Sequence, residues 1–335
     1  MIPAFSGDEW WDLWRRDPRA TPFQSPAWME AWWECLGGGE RIDLEARGPD
    51  GRLVAALPMT VWHDAGMRRL VPVAAGQSDY SDALVDPAAG PDAVAGLWDA
   101  LLATANRWDE ALLPDLRADS PLLGPVPDGW RAVDEPGEVC PVMVLPPAPP
   151  LLAGLSKSKR RKVVHDRHRA AAVGEVSETI VGACGITQAL DALFALHAAR
   201  WAAAGEPGVL ADPRVQAFHR AAAPALAAAG LLRLSVVRLD GRIVAVLLGF
   251  ADGRRGYSYI NGVDQSVPGQ SFGTLAFAVA IEDALVGGAG EFHFLRGEEP
   301  YKYAWGAEAR TTVRRRVVRV GSSLKFMPRM LLDGR

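Results

Sequence analysis

Residues 259–274 read Tyr259-Ile260-Asn261-Gly262-Val263-Asp264-Gln265-Ser266-Val267-Pro268-Gly269-Gln270-Ser271-Phe272-Gly273-Thr274. The stretch leaves a strand, crosses a turn rich in glycine and proline, and enters a helix. The first N–H groups of a helix have no partner inside it, and with the helix dipole they favour an anion. Glycines allow a ligand close to the backbone. Gly269, Gln270, Ser271, Phe272, Gly273 and Thr274 are therefore a candidate phosphate cradle. The same residues also read as a plain Ser-capped helix start.

Outward from this stretch the pattern is regular. Strands are expected at 231–239, 242–250 and 254–261, joined by the hairpin signals Asp240-Gly241 and Asp252-Gly253. Helices precede them at 156–173, 186–204 and 213–229, with a strand at 175–181. A helix at 271–286, a short strand at 291–295 and a last strand at 311–320 follow. Residues 1–145 repeat a rougher version of this order. Helices are expected at 10–14, 23–36 and 91–107, and strands at 41–47, 52–62, 68–73, 110–113 and 141–145. Pro58 suggests a bent or edge strand. Pro146-Pro147-Ala148-Pro149-Pro150 reads as a stiff linker. The expected fold class is α/β, with an acceptor-side unit over 1–145, a linker at 146–150 and a donor-binding unit over 151–325, the two flanking a central cleft.

Composition agrees with this. The 335 residues are 49% hydrophobic and 23% charged, which excludes a disordered, collagen-like or coiled-coil chain. No uncharged apolar run approaches the roughly 18 residues of a membrane span. The first nine residues lack a basic and apolar leader, so the expected compartment is the cytoplasm. Cys35, Cys140 and Cys184 have no metal-type spacing and read as buried thiols, and neither a disulfide framework nor a metal is expected. Half of the tryptophans fall in residues 10–33 and read as core.

The net charge of −4 hides an asymmetry: residues 1–150 carry −13 and no lysine, and the rest carry +9. Either the second half handles an anion, or the two fields attract each other. One basic cluster holds Lys157, Lys159, Arg160, Arg161 and Lys162, and a second holds Arg310, Arg314, Arg315, Arg316 and Arg319. The first reads as a solvated helix or as a contact for a phosphate-bearing ligand. DNA and membrane partners are not expected.

The order of elements and the run Gln270-Ser271-Phe272-Gly273-Thr274-Leu275 resemble the GNAT superfamily of acyltransferases, whose pyrophosphate loop reads Gln/Arg-x-x-Gly-x-Gly/Ala. Gln270 and Gly273 match, and Leu275 departs from the small final residue. From about residue 20 to 320 the chain is similar to the CelD-like branch of that superfamily. The matching pieces are Phe23-Gln24-Ser25-Pro26-Ala27-Trp28, Ser78-Asp79-Tyr80-Ser81-Asp82, Leu196-His197-Ala198-Ala199-Arg200-Trp201 and Phe292-His293-Phe294-Leu295-Arg296-Gly297-Glu298-Glu299-Pro300-Tyr301-Lys302. The branch usually has Asp in place of His293. It resembles in turn the Fem-type transferases, which pack two GNAT units and take the acyl group from aminoacyl-tRNA.

The resemblance implies transfer of an acyl group from acyl-CoA, acetyl-CoA first, to a small-molecule primary amine by direct attack. An aminoacyl-tRNA donor is the alternative, and a non-catalytic scaffold of the same fold is the second. Direct attack needs a proton acceptor, a stabilised carbonyl oxygen and alignment. His293 and Glu298 are candidate bases, with Glu299 beside them, and each also reads as structural. Tyr259 is a candidate donor to the leaving group, with Asn261 on the same strand face, and otherwise a half-buried strand tyrosine. Lys302 corresponds to a donor-positioning lysine by the Fem-type analogy and otherwise reads as a surface lysine. Arg296 could meet an acidic ligand. Asp79, Tyr80 and Asp82 form an acidic loop that suits an amine substrate, or plain turn chemistry.

Overall fold

The computed structural model describes residues 7–64, 66–148, 150–267 and 269–321. The N-terminal reading of residues 1–6, Pro149 of the proline stretch, Pro268 and residues 322–325 lie outside the described residues. Two units divide the chain: 1–138 with 311–335, and 139–310. Each is a mixed sheet flanked by helices.

The first unit holds α1 (Gly7–Arg16), α2 (Pro26–Leu36), β1 (Glu40–Arg47), β2 (Leu53–Asp64), β3 (Met67–Pro72), β4 (Leu84–Val85), α3 (Pro91–Ala103), β5 (Glu110–Leu116) and β6 (Trp130–Val139). Its sheet runs β1-β2-β3-β5, then a strand from far downstream, then β6, with β4 on β2. The hairpin around Pro49-Asp50-Gly51 forms, pairing Glu40 with Val61 and Leu44 with Leu57. Pro58 is not on an edge strand. It sits where β2 changes partner from β4, at Ala55 and Ala56, to β3, from Met59 onward. A missing N–H is tolerated at such a changeover. Of the early tryptophans, Trp10, Trp28 and Trp32 are core and Trp11, Trp14 and Trp33 are half-buried; the indole N–H groups of Trp10 and Trp28 donate to the Gln24 carbonyl and the Ser78 hydroxyl. Of the cysteines only Cys140 is buried; Cys35 is half-buried and Cys184 exposed.

The second unit holds β7 (Val142–Val144), α4 (Leu151–Gly154), α5 (Lys157–Ala171), β8 (Val176–Ile180), α6 (Ile186–Ala203), α7 (Pro213–Ala228), β9 (Leu232–Leu239), β10 (Arg242–Ala251), β11 (Arg255–Val263), α8 (Phe272–Val286), β12 (Glu291–His293) and α9 (Pro300–Tyr303). Its sheet order is β7-β12-β11-β10-β9-β8. The meander β9-β10-β11 is antiparallel, and β12 returns parallel to β11 after α8. Phe272, Leu275, Ala276 and Ile281 of α8 pack into the main core. Burial of each large side chain there contributes about 1.5–3 kcal/mol, which fixes where the helix begins.

Two strands differ in partnership from the sequence pattern. The pattern closes the first half with 141–145 and the second with 311–320. Instead β7 pairs with β12 of the second unit, and β13 (Thr311–Arg319) pairs with β5 of the first. The reason is electrostatic as well as apolar. Arg316 grips Glu110, and Arg315 grips Asp134 and the carbonyls of Leu122, Leu123 and Gly124. Two arginines of the second basic cluster are thus neutralised within the first unit, and Arg310 pairs with Glu291 in the second.

Candidate functional site

A cavity of about 530 Å³ opens in the second unit where α8 begins. Ser271, Gly273 and Thr274 form one wall, Lys159 and Lys162 of α5 another, and Arg200, Asn261, Tyr301 and Trp305 much of the rest. Ser271 caps α8 without a side-chain hydrogen bond, and Thr274 N–H bonds the Ser271 carbonyl at 2.9 Å. The amides of Phe272 and Gly273 have no acceptor among the described residues. They are the orphan donors expected at a helix start, and here the start opens on a cavity.

Charge in the cavity is one-sided. Among the described residues its lining has three cations, no carboxylate and no histidine. Lys162 bonds Asp166 at 2.9 Å and is half exposed. Arg200 donates to the side-chain Oδ1 of Asn261 at 3.4 Å. Lys159 is 7% exposed, with its ammonium 3.5 Å from the centroid of the Trp305 ring. Burial pushes Lys159 down to about 8, Lys162 pushes the same way, and Asp166 opposes. Burial also holds the Tyr301 hydroxyl above its ordinary value, with Glu299 adding to the effect and Arg200 opposing it.

The predicted cradle divides. Ser271, Gly273 and Thr274 line the cavity, whereas the Phe272 side chain is fully buried in the core and Leu275 with it. Gly269 has φ 73°, and any side chain there would run into the Arg169 guanidinium. Gln270 reaches the Arg169 carbonyl at 3.5 Å.

Of the predicted catalytic residues, only Asn261 lines this cavity. His293 is buried, stacked 5.1 Å from Tyr257, and bonded to Glu291 at 3.1 Å. That bond, helped by Arg310, draws Glu291 down to about 2. Tyr259 is buried between His219 and Phe250. Glu298 is exposed and accepts from the Tyr303 hydroxyl at 3.4 Å. Lys302 is not a surface lysine. Its ammonium donates to the carbonyls of Leu295, Arg296 and Gly297 at 3.1, 2.6 and 3.0 Å and pairs with Glu299. Leu295 (φ 59°) and Gly297 (φ 106°) are left-handed there, so Lys302 staples a turn in an uncommon conformation. Arg296 contributes a carbonyl to that staple and is half-buried.

In the first unit Asp79, Tyr80 and Asp82 are all buried, which removes them from any exposed acidic loop. Asp82 accepts from Ser120 at 2.8 Å and from the Ala83 N–H at 2.9 Å. Burial pushes it up to about 6 against the pull of Ser120 and Arg117.

Comparison with known proteins places the cavity in a family. Residues 157–303 match the family model for the acetyltransferase (GNAT) domain. The second unit carries a GNAT acetyltransferase domain. On that match its class is acyltransferase. No curated protein matches the sequence. Solved structures match over nearly the whole chain at low identity, which speaks for fold. One is FemX, with TM-score 0.65, 12% identity, and coverage of 93% of this chain and 96% of that one. Another is L-PGS from Bacillus licheniformis, with TM-score 0.54, 13% identity, and coverage of 90% and 93%. A third is a conserved protein of unknown function from Bacteroides thetaiotaomicron, with TM-score 0.61, 14% identity, and coverage of 95% and 100%.

Within the GNAT domain α5 has two faces. Lys159, Val163, Asp166 and Ala170 are buried on one. Arg160, Arg161, Lys162, Val164, His165 and His168 line an open groove of about 780 Å³ on the other. Lys157 is exposed at the start of the helix. The sequence reading groups Lys159 with the exposed basic residues. The apolar spacing of Val163 and Ala170 around it was the available signal that it turns inward. Trp305, which seats its ammonium, carries no motif of its own, and Tyr301, which walls the cavity, lies in the Phe292–Lys302 stretch, where the sequence pattern gives it no role.

Proposed function

We propose that this chain moves an acyl group from acyl-CoA, acetyl-CoA first, to a primary amine of a small molecule, and that it lies on the CelD-like branch of the GNAT acyltransferases in the cytoplasm. The observation that carries this reading is the start of α8, where the Phe272 and Gly273 amides have no acceptor among the described residues and Gly273 lines a cavity that also holds three cations. A pyrophosphate there meets the helix dipole, the Ser271 and Thr274 hydroxyls, and the charges of Lys162 and Arg200. The donor carbonyl then lies toward Tyr301, on the same lining. That hydroxyl keeps its proton through the neutral range and can give it to the departing thiolate as the C–S bond breaks. Tyr301 takes the role that the sequence pattern gives to Tyr259. Among the described residues no helix is long and apolar enough to cross a membrane.

A second donor, aminoacyl-tRNA, is favoured by the likeness in fold to FemX and L-PGS and by the exposed basic face of α5. Calorimetry separates the two. The first reading expects CoA binding at the micromolar level that survives substitution of Lys157, Arg160 and Arg161 by Glu. The second expects charged tRNA to bind with steep salt dependence and that triple variant to lose it. Binding of neither donor would overturn the proposal.

A further inference from the structure

Amide formation from an ammonium and an activated acyl group strips two protons from nitrogen, and the reacting pocket must receive at least one of them. His293 and Glu298 are outside the cavity at α8, and its described lining contains no other carboxylate or histidine. We propose that Lys159, as the free amine, is the catalytic base that takes a proton from the acceptor ammonium, a role that rests on the acyl-transfer reading above.

The geometry selects this side chain over the other cations. Lys162 is half exposed and paired with Asp166, and Arg200 cannot deprotonate in water. Lys159 is nine-tenths buried, and among the described residues no carboxylate pairs with it. The Trp305 ring, 3.5 Å from its nitrogen, fixes that nitrogen at the cavity wall opposite Ser271 and Thr274. The charged and titratable groups facing it are Lys162 and Asp166 from α5, Arg200 from α6 and Tyr301 from α9. Burial of the ammonium, with repulsion from Lys162 and against the pull of Asp166, makes the lysine give up its proton more readily than usual, at about pH 8. A group of that proton affinity is free often enough near neutrality to act and basic enough to accept.

In the proposed step, the acceptor ammonium transfers one proton to the Lys159 nitrogen. The freed lone pair attacks the acyl carbon and forms the C–N bond, and the carbonyl pair moves to oxygen. As the carbonyl re-forms, the bond to the leaving sulfur or oxygen breaks and its electron pair departs with that atom. The leaving atom takes up the second nitrogen proton, relayed through the Tyr301 hydroxyl. One proton remains on Lys159 and passes to solvent, so the products are amide, thiol or alcohol, and one proton.

The test has two arms. NMR of lysine side-chain carbons, with Lys159 assigned by its absence in Lys159→Arg, reads its titration directly in the unaltered protein; a midpoint near pH 8 is expected. Steady-state rates with acetyl-CoA and with charged tRNA, from pH 6 to 9.5, form the second arm. Wild type should rise with a midpoint near pH 8 and level off above about pH 9. Lys159→Arg, which keeps charge but cannot act as base, should lose about 100-fold in kcat/KM and its ascending limb. A titration midpoint in the ordinary lysine range, or a Lys159→Arg enzyme within threefold of an active wild type, overturns the role of Lys159 alone. A wild type that transfers from neither donor overturns the acyl-transfer reading and this role with it.

Discussion

Replacing Lys302 with Met tests whether this lysine is a structural staple or a group of the reaction. The aliphatic stem is kept and the ammonium is removed. Three carbonyls, those of Leu295, Arg296 and Gly297, lose their donor in a place where Lys302 is only 2% exposed. Hydrogen bonds to a charged group contribute roughly 1.5–3 kcal/mol each, but they share one nitrogen and do not add. Leaving the three carbonyls without their donor costs about 3–5 kcal/mol in all, from roughly 1–3 kcal/mol for each without full additivity. The pair with Glu299 adds little, because Glu299 is 54% exposed. In a unit of this size that loss corresponds to roughly 6–20 °C in melting temperature. Calorimetry and urea unfolding of Lys302→Met read it, and donor affinity at a temperature where the variant is still folded reads the alternative. A melting temperature within 2 °C of wild type together with lost transfer would refute the staple and return Lys302 to the chemistry.

Other expectations follow from the same contacts. His293→Asn should lower stability by removing the stack on Tyr257 and the bond to Glu291, yet leave the pH dependence of transfer unchanged, as rate measurements across pH would show. Arg316→Met leaves Glu110 buried with half its pairing gone and should cost about 3–5 kcal/mol, read as earlier unfolding of the first unit by hydrogen exchange. Asp82 has a higher proton affinity folded, at about 6, than unfolded, at 3.8, so its contribution is present below pH 4 and lost as pH rises through 6. The loss is about 3 kcal/mol, and Asp82→Asn should flatten that slope in unfolding measured from pH 4 to 7.

Local signals made much of the fold legible in the sequence. Asp240-Gly241 and Asp252-Gly253 announced the meander because only a few residues accept left-handed turn positions, and Asp240 and Gly241 sit at φ 50° and 78°. The helix beginning beside Ser271 was legible for the same local reason. Strand partnership was not: nothing in the alternation of 311–319 says which sheet it joins, and the decision rests on Arg315 and Arg316 finding Asp134 and Glu110 far away in sequence. β6 carries Pro136 and Gly137 and several charges, so its pattern falls short of a strand. At the site, the backbone cradle was visible and the side chains were not. His293 and Lys302 look functional as residue types, and the structure buries both outside the lining of the cavity at α8. Lys159 looks like one of a row of solvated charges, and the aromatic ring that turns it inward is 146 positions downstream.

The most direct test is an NMR titration of backbone amides with CoA. The donor anion should shift the Phe272, Gly273 and Thr274 N–H signals most, and Arg200→Ala should weaken the binding without moving the pattern. Amides of this helix start that stay unmoved while CoA binds elsewhere, or a CoA that binds nowhere, would contradict the account.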